Sequence, residues 1–296
     1  MDFGYGPEQE ALRQEVRRFI EENVTPEVLA EMQTKAEGGE WPHFKEMHRK
    51  AAEKGWVGMC WPKEYGGQDG SRMDQYIVEE EFVRVGIAMG GVGSGAPAIL
   101  AAGSEEQKKH FLPGLINGDI SFAMGFTEPQ GGADLAGLQC RAVRDGDEYV
   151  INGQKMYTSA AHFATHIYLM CRTDPDAPRH RGISIFLVPM DTPGISVRPL
   201  LTIQNDPPAP PGTNCGAART NETFFEDVRV PLSALLGEEN RGWYVGAMGL
   251  NLDRVGASRL VRSINRDEDF INWAKENDLD GHSVTDDPAV RDKLAE

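Results

Sequence analysis

The sequence predicts an α+β protein, mostly helical, in which a middle β domain separates two helical domains. Helical periodicity dominates up to about residue 120 and returns after residue 232. Between these regions, short β-branched and aromatic segments bounded by Gly, Pro or Asp are typical of a β-barrel or sandwich. We predict an N-terminal helical domain (residues 1–120), a middle β domain (121–232) and a C-terminal helical bundle (233–296). The bundle is expected to be truncated, because the last predicted helix reaches Glu296 without a stop signal.

The N-terminal domain is predicted to begin with an amphipathic helix whose apolar residues recur at i, i+4, i+7 and i+8. These residues are Leu12, Val16, Phe19 and Ile20. Helical periodicity returns at 44–54, 73–85 and 96–102. Ser104 and Gln107 have the spacing of a capping box, so a further helix is predicted to begin at residue 105.

The middle domain is predicted to contain at least five strands, and Asp145-Gly146 predicts a hairpin between the first two. The predicted strands span residues 139–143, 148–151, 166–170, 183–188 and 195–197. Residues 204–216 are rich in proline, which predicts an extended surface loop. The C-terminal helices are expected at 243–264, 267–276 and 288–296.

The composition is that of an ordinary globular protein, with 40% hydrophobic and 26% charged residues. A net charge of −16 argues against a nucleic-acid partner and against binding to an anionic membrane. The N-terminus is polar and no stretch approaches the ~18 apolar residues of a membrane span, so a cytoplasmic location is expected. The four cysteines contain no C-x-x-C pair, which predicts a reducing compartment and no disulfide framework. They are Cys60, Cys140, Cys171 and Cys215.

Two segments of the middle domain carry the strongest functional signal. The first lobe is residues 125–137 (GFTEPQGGADLAG), and the second lobe is residues 151–159 (INGQKMYTS). Glycines in the first lobe permit close approach of a ligand to the backbone, and Thr127 offers a hydroxyl to a polar ring edge. A tight turn in the first lobe and a plain strand in the second are the alternatives that involve no ligand.

Both lobes resemble the signature segments of the acyl-CoA dehydrogenase family. The resemblance continues at 223–231 (TFFEDVRVP), 236–243 (LGEENRGW) and 250–254 (LNLDR). It implies an FAD-dependent subunit that desaturates an acyl-CoA between its α and β carbons, in the catabolism of fatty acids or sterol side chains. It also implies an electron-transfer flavoprotein as electron acceptor and assembly with identical or paralogous subunits.

The resemblance implies flavin contacts from both lobes. Before and within the first lobe they are Met124, Phe126, Thr127, Gly132 and Ala133. In the second lobe they are Tyr157, Thr158 and Ser159. Ala133 stands where the family usually has Ser or Thr, so its contact with the flavin phosphate or the substrate is expected to be weaker. His162 and His166 lack further ligands, and no metal site is predicted.

The resemblance also places the thioester end of the substrate against Ala133, Asn251, Asp253 and Arg254. Asp253 is the candidate catalytic base, since some relatives carry an acidic residue immediately before this Arg. Other relatives use a Glu on a later helix, beyond Glu296 in this numbering. The alternative is a solvated pair of charges on a helix surface.

Two alternative hypotheses for the function of the chain are left open by the sequence. One is a non-catalytic or half-site subunit of a heteromeric dehydrogenase. The other is an inactive binding protein derived from the family. The chain alone is expected to bind FAD weakly, because family members continue for further helices that grip the cofactor.

Overall fold

A computed structural model describes residues 4–34, 41–87, 89, 95–202, 220–253, 257–279 and 282–295. The predicted architecture is confirmed: helices come first, an eight-stranded sheet follows, and helices return after it. The predicted loop at 204–216 and Cys215 lie outside the described residues. The helices give way to strands between Asn117 and Phe122, while the division into three domains at 120 and 232 stays a proposal.

The described residues of the N-terminal region contain six helices. They are α1 (Pro7–Asn23), α2 (Pro26–Thr34), α3 (Pro42–Glu53), α4 (Arg72–Arg84), α5 (Gly95–Ala102) and α6 (Glu105–Asn117). The predicted apolar face of α1 is confirmed, with Val16, Phe19 and Ile20 buried. The Phe19 ring packs edge-on against Trp56, with the ring centroids 5.2 Å apart. Helix α2 was not predicted as a separate element.

Helix α6 begins at the predicted capping box. The Ser104 Oγ accepts the Gln107 backbone N–H at 3.2 Å, and the Gln107 Oε1 accepts the Ser104 N–H at 3.0 Å. The Gln107 Nε2 also donates to the carbonyls of Ser233 and Leu235, each at 2.9 Å. One side chain therefore caps the helix and fastens it to the chain that leaves the sheet.

The sheet follows the order β6-β7-β3-β2-β4-β5-β8, and β1 pairs in parallel with β4. Its strands are β1 (Phe122–Gly125), β2 (Arg141–Asp145), β3 (Glu148–Lys155), β4 (His166–Arg172), β5 (Ile183–Pro189), β6 (Ile195–Leu200), β7 (Thr220–Pro231) and β8 (Leu235–Leu236). The ring of Tyr149 in β3 lies 4.9 Å from that of Phe186 in β5, although β2 and β4 separate the two strands. The sheet therefore curls around one buried face, as expected of a barrel or sandwich.

The predicted hairpin between β2 and β3 is confirmed. Asp145 pairs with Glu148, so Gly146 and Asp147 form its two-residue loop. Gly146 has φ of +64°, which glycine adopts without steric cost. The glycine of the Asp-Gly pair therefore lies in the turn itself.

The C-terminal region contains α7 (Gly242–Asp253), α8 (Ala257–Glu276), a short hairpin of β9 (Asp278–Leu279) and β10 (His282–Ser283), and α9 (Pro288–Ala295). The predicted boundary between the helices at 243–264 and 267–276 is wrong. One helix, α8, runs through residues 265 and 266, because Asn265 gains a tertiary partner: its Nδ2 donates to the carbonyls of Val83 and Arg84 at 3.2 and 2.9 Å. None of the described helices is both long and apolar enough to cross a membrane.

The capping box yields a stability prediction. Replacing Ser104 by Ala removes the acceptor for the Gln107 N–H, and we expect the free energy of unfolding to fall by about 1 kcal/mol. Chemical denaturation followed by circular dichroism measures this change. The matched control is Ser104→Thr, which keeps a hydroxyl and should lose less. Equal losses in the two variants would show that the hydroxyl does not cap the helix.

Candidate active site

The two lobes lie side by side although they are distant in sequence. The first lobe leaves the sheet at the end of β1, and the second lobe is the end of β3 with the turn after it. The Met156 backbone N–H donates to the Thr127 carbonyl at 2.8 Å, which joins the lobes through the main chain. A ligand that touches one lobe is therefore within reach of the other.

A buried ion pair holds the lobes from inside. The Lys155 Nζ lies 2.7 Å from the Glu128 Oε1, and both side chains are almost fully enclosed, at 0% and 2% exposure. The same ammonium donates to the Phe126 carbonyl at 3.2 Å. Sequence analysis missed this pair. The available signal was a lysine on a strand whose neighbours Tyr149 and Ile151 face the core, with a carboxylate in the other lobe.

The Glu128 carboxylate also organises the start of β2. It accepts the backbone N–H groups of Gln139 at 2.6 Å and Cys140 at 2.9 Å. Burial by itself would raise the pKa of Glu128, but the Lys155 ammonium and these backbone donors outweigh it and lower the pKa. The charged form of Glu128 is thus the one that the fold stabilises.

The second lobe turns outward at Tyr157. This residue has φ of +56°, uncommon for a side chain larger than that of Asn, and its side chain is 56% exposed. Ser159 is exposed as well, whereas Thr158 is fully buried and its hydroxyl has no partner among the described residues. The Thr158 backbone is held by Asn221, whose carbonyl accepts its N–H at 2.9 Å and whose Nδ2 donates to its carbonyl at 3.0 Å. The turn therefore exposes the side chains of Tyr157 and Ser159 and buries the side chain of Thr158.

The first lobe presents a different set of groups. Met124 and Thr127 are half-buried, Gly132 and Ala133 are exposed, and Phe126 is buried at 7% exposure. A Cβ added at Gly132 would meet only the Thr127 Cγ2, at 3.6 Å, which is an ordinary contact. No packing among the described residues requires a glycine there. The open space above it suits the close approach of a ligand, as the predicted flavin site demands.

Helix α7 crosses the sheet beside the first lobe. A Cβ at Gly246 would lie 2.5 Å from the Met170 Cε and 3.8 Å from the Phe126 ring, so the helix and sheet touch closely at this glycine. Asp253 is the last residue of α7, seven positions after Gly246, which places its backbone on the same helix face about 10 Å further along. The side chains of Asn251 and Asp253, and all of Arg254, lie outside the described residues.

Two arginines lie near the first lobe and the start of α7 in a chain whose net charge is −16. Arg179 forms an ion pair with Asp134 of the first lobe. The Arg241 guanidinium lies 4.5 Å from the centre of the Tyr244 ring, and the His180 ring lies 6.3 Å from that same ring. This region is suited to an anionic group despite the acidic chain as a whole. The described residues contain no group of three or more potential metal ligands.

The buried pair leads to a prediction on stability. Replacing Lys155 by Met leaves the Glu128 carboxylate buried without its partner, and we expect a loss of about 3–5 kcal/mol in the free energy of unfolding. The double variant Lys155→Met with Glu128→Gln should lose less, because no charge stays buried. The control is Lys54→Met, which breaks a half-exposed pair with Glu15 and should cost about 1 kcal/mol or less. Denaturant titration measures the free energy of unfolding of each variant. Equal losses for Lys54→Met and Lys155→Met would contradict the conclusion that the buried pair of Lys155 and Glu128 stabilises the fold.

The pKa of Glu128 sets a pH dependence. Because this pKa is lower in the folded chain than in the unfolded chain, the carboxylate contributes stability above the unfolded value of about 4.3, and the contribution is lost as the pH falls through the folded value. The gap in melting temperature between the wild type and Glu128→Gln should therefore be wide at neutral pH and narrow in acid. A gap that is constant with pH would assign the effect to packing alone.

Two family models match this chain. Residues 6–119 match the family model for the N-terminal domain of acyl-CoA dehydrogenases, and residues 123–208 match the model for their middle domain. Acyl-CoA dehydrogenase FadE29 of Mycobacterium tuberculosis is 37% identical over 98% of this chain and 72% of its own length. FadE26 of the same organism is 38% identical over 100% of this chain and 72% of its own length.

Solved structures of acyl-CoA dehydrogenases are also similar to this chain. The Tcur3481-Tcur3483 steroid ACAD superimposes with a TM-score of 0.83 at 39% identity, covering 100% of this chain and 73% of that chain. The ChsE4-ChsE5 complex from Mycobacterium tuberculosis superimposes with a TM-score of 0.84 at 36% identity, again covering 100% of this chain and 73% of that chain. With both domain models matched and relatives this similar along almost its whole length, the chain belongs to the acyl-CoA dehydrogenase family.

Proposed function

We propose that this chain provides the flavin- and thioester-binding surface of a dehydrogenase that desaturates an acyl-CoA between its α and β carbons. The observation that supports this most is the joining of the two lobes by the Met156–Thr127 hydrogen bond and the Lys155–Glu128 pair, which leaves their outer surfaces exposed. The family is generally FAD-dependent. FAD, when bound, would accept the hydride from the β carbon.

The exposed groups of the lobes suit a flat, partly polar ring. The Tyr157 side chain would cover one face, while the hydroxyls of Ser159 and Thr127 would bond to the polar ring edge. Gly132 and Ala133 would offer backbone N–H groups. Met124 would contribute apolar surface. Phe126 and Thr158 are buried, so any contact from these two residues would come from their backbone atoms.

Ala133 weakens one contact of this site. An alanine has no hydroxyl to donate to a phosphate or to the thioester, and a hydrogen bond to a charged group is worth roughly 1.5–3 kcal/mol. We therefore expect this chain to hold FAD less tightly than relatives with Ser or Thr at the same position.

The substrate would lie between the first lobe and α7. Its thioester end would meet Ala133, Asn251, Asp253 and Arg254, with the Asp253 carboxylate removing the α proton. Support comes from the spacing along α7, in which Asp253 follows by seven positions Gly246, the glycine that packs close to Phe126. The phosphates of CoA would be attracted by Arg179 and Arg241 near that lobe. Electrons would pass onward to an electron-transfer flavoprotein.

The acyl group is proposed to be a fatty acid or a steroid-derived side chain. One similar solved structure is named a steroid ACAD, and FadE29 and FadE26 are named only as acyl-CoA dehydrogenases. Anaerobic mixing of the FAD-loaded protein with a straight-chain acyl-CoA and with a steroid side-chain acyl-CoA tests both. Loss of the long-wavelength flavin absorbance identifies the substrate, and no loss with either thioester would overturn dehydrogenase activity.

A second candidate is a half-site or non-catalytic subunit of a heteromeric dehydrogenase. This second candidate is favoured by the missing hydroxyl at Ala133. It is also favoured by two similar solved structures whose names are those of protein pairs. Purified protein that holds no flavin until a paralogous subunit is added would support this candidate. Protein that binds neither FAD nor an acyl-CoA in either state would instead indicate an inactive binding protein.

The role of Asp253 can be tested by one isosteric change. Asp253→Asn should lower the rate of flavin reduction by about 10²–10⁴-fold, because an amide cannot accept the α proton. The control is Asp267→Asn on the exposed side of α8, which should leave the rate unchanged. A rate for Asp253→Asn equal to that of the wild type would remove Asp253 as the base, and a base elsewhere would then be required.

The departure at Ala133 predicts a gain of affinity. Ala133→Ser restores a hydroxyl at an exposed position of the first lobe, and we expect FAD to bind about 10-fold more tightly or better. Titration of flavin fluorescence measures the dissociation constant. Ala11→Ser on the exposed face of α1 is the control and should change nothing. If Ala133→Ser binds FAD with the same affinity as the wild type, the FAD phosphate does not lie beside residue 133.

A further inference from the structure

Two cysteines that are far apart in sequence meet behind the first lobe. The Sγ atoms of Cys140 and Cys171 lie 3.8 Å apart. Cys140 immediately precedes β2 and Cys171 lies in β4, and the next residues, Arg141 and Arg172, are direct partners in the parallel pairing of these strands. The Arg172 N–H donates to the Cys140 carbonyl at 2.7 Å. Neighbouring strands lie about 4.8 Å apart, within the Cα separation of about 4.4–6.8 Å that a disulfide spans.

The two cysteines are both buried but differ in their position relative to an open cavity. Cys140 lines an open cavity of about 600 Å³ together with Gly153, Arg141 and Arg172. Gly153 packs directly on this cysteine, since a Cβ added there would lie 2.8 Å from the Cys140 Sγ. Cys171 does not line the cavity and is completely buried. Cys140 is itself 2% exposed, and it is the only one of these two cysteines that a small molecule in the cavity would border.

We propose that Cys140 and Cys171 form a redox modification site, at which a hydroperoxide oxidises Cys140 and Cys171 then closes a disulfide. The Cys140 thiolate attacks the terminal oxygen of the O–O bond, an S–O bond forms, and the other oxygen leaves as an alcohol or water. The Cys171 thiol then attacks the Cys140 sulfur, the S–S bond forms, and the hydroxyl leaves as water. The two thiols lose two electrons in total, and the hydroperoxide takes both.

The surroundings favour this division of roles. The contact with the Cys171 sulfur lowers the pKa of the Cys140 thiol, burial opposes this, and the Lys155 ammonium adds to the lowering. Burial raises the pKa of Cys171. Cys140 is therefore the better nucleophile toward the hydroperoxide, and Cys171 is protected until the Cys140 sulfur is oxidised.

The bond would join β2 to β4 at the base of the proposed site. The Cys140 N–H already donates to the Glu128 carboxylate at 2.9 Å, so the disulfide would restrain the strand that supports the buried pair. It would close a loop of 31 residues in the unfolded chain, which is the usual source of stabilisation by a disulfide. We expect the oxidised chain to melt at a temperature higher by about 5 °C or more.

The test is peroxide treatment of the full chain, followed by alkylation and peptide mass spectrometry. The expected product links the peptides of Cys140 and Cys171, and dithiothreitol reverses both the link and the rise in melting temperature. In Cys171→Ser, Cys140 should accumulate as a sulfenic acid that dimedone traps. In Cys140→Ser, Cys171 should stay a free thiol.

Cys60→Ser is the matched control, because Cys60 lies in the N-terminal region and should have no effect on the link. The proposal is overturned if the wild type shows no Cys140–Cys171 link at a peroxide concentration that oxidises Cys60. It is also overturned if Cys60→Ser abolishes the link. The wild-type peptide map decides the question even where a variant fails to fold, and its outcome does not depend on dehydrogenase activity.

Discussion

The buried contact between Lys155 and Glu128 is the interaction on which the site depends. It joins the end of β3 to the first lobe, holds the Phe126 carbonyl, and through Glu128 fixes the backbone at the start of β2. A desolvated ion pair is costly unless its remaining hydrogen-bonding capacity is satisfied, and here backbone donors satisfy it. The same contact therefore sets the distance between the lobes and makes that distance hard to change.

A second constraint is the apolar core shared by the helices and the sheet. Ile99 of α5, Leu112 of α6, Met170 of β4 and Val245 of α7 belong to one buried cluster, together with Phe126. Because Phe126 is committed to this core, the outer surface of the lobes is left to Thr127, the glycines and the second lobe. The core therefore decides which side chains of the signature segments can meet a ligand.

Local sequence signals were reliable where the determining contacts are local. The capping box at Ser104 involves residues three apart, and the apolar face of α1 follows from helical spacing alone. The misplaced helix break near residue 265 has the opposite cause. Asn265 bonds to carbonyls of α4, some 180 residues earlier, and no local pattern contains that partner.

The sequence by itself determined the family resemblance, the order of helices and strands, and the residue types available for a flavin and a thioester. Only the tertiary structure decided which of those residues face outward, since the positive φ of Tyr157 and the burial of Phe126 and Thr158 arise from long-range packing. It also brought Lys155 to Glu128 and Cys140 to Cys171. The physical reason is that the fold brings residues about 30 positions apart into contact, by strand pairing for the two cysteines and by packing of the two lobes for the ion pair. A one-dimensional pattern does not contain these distances.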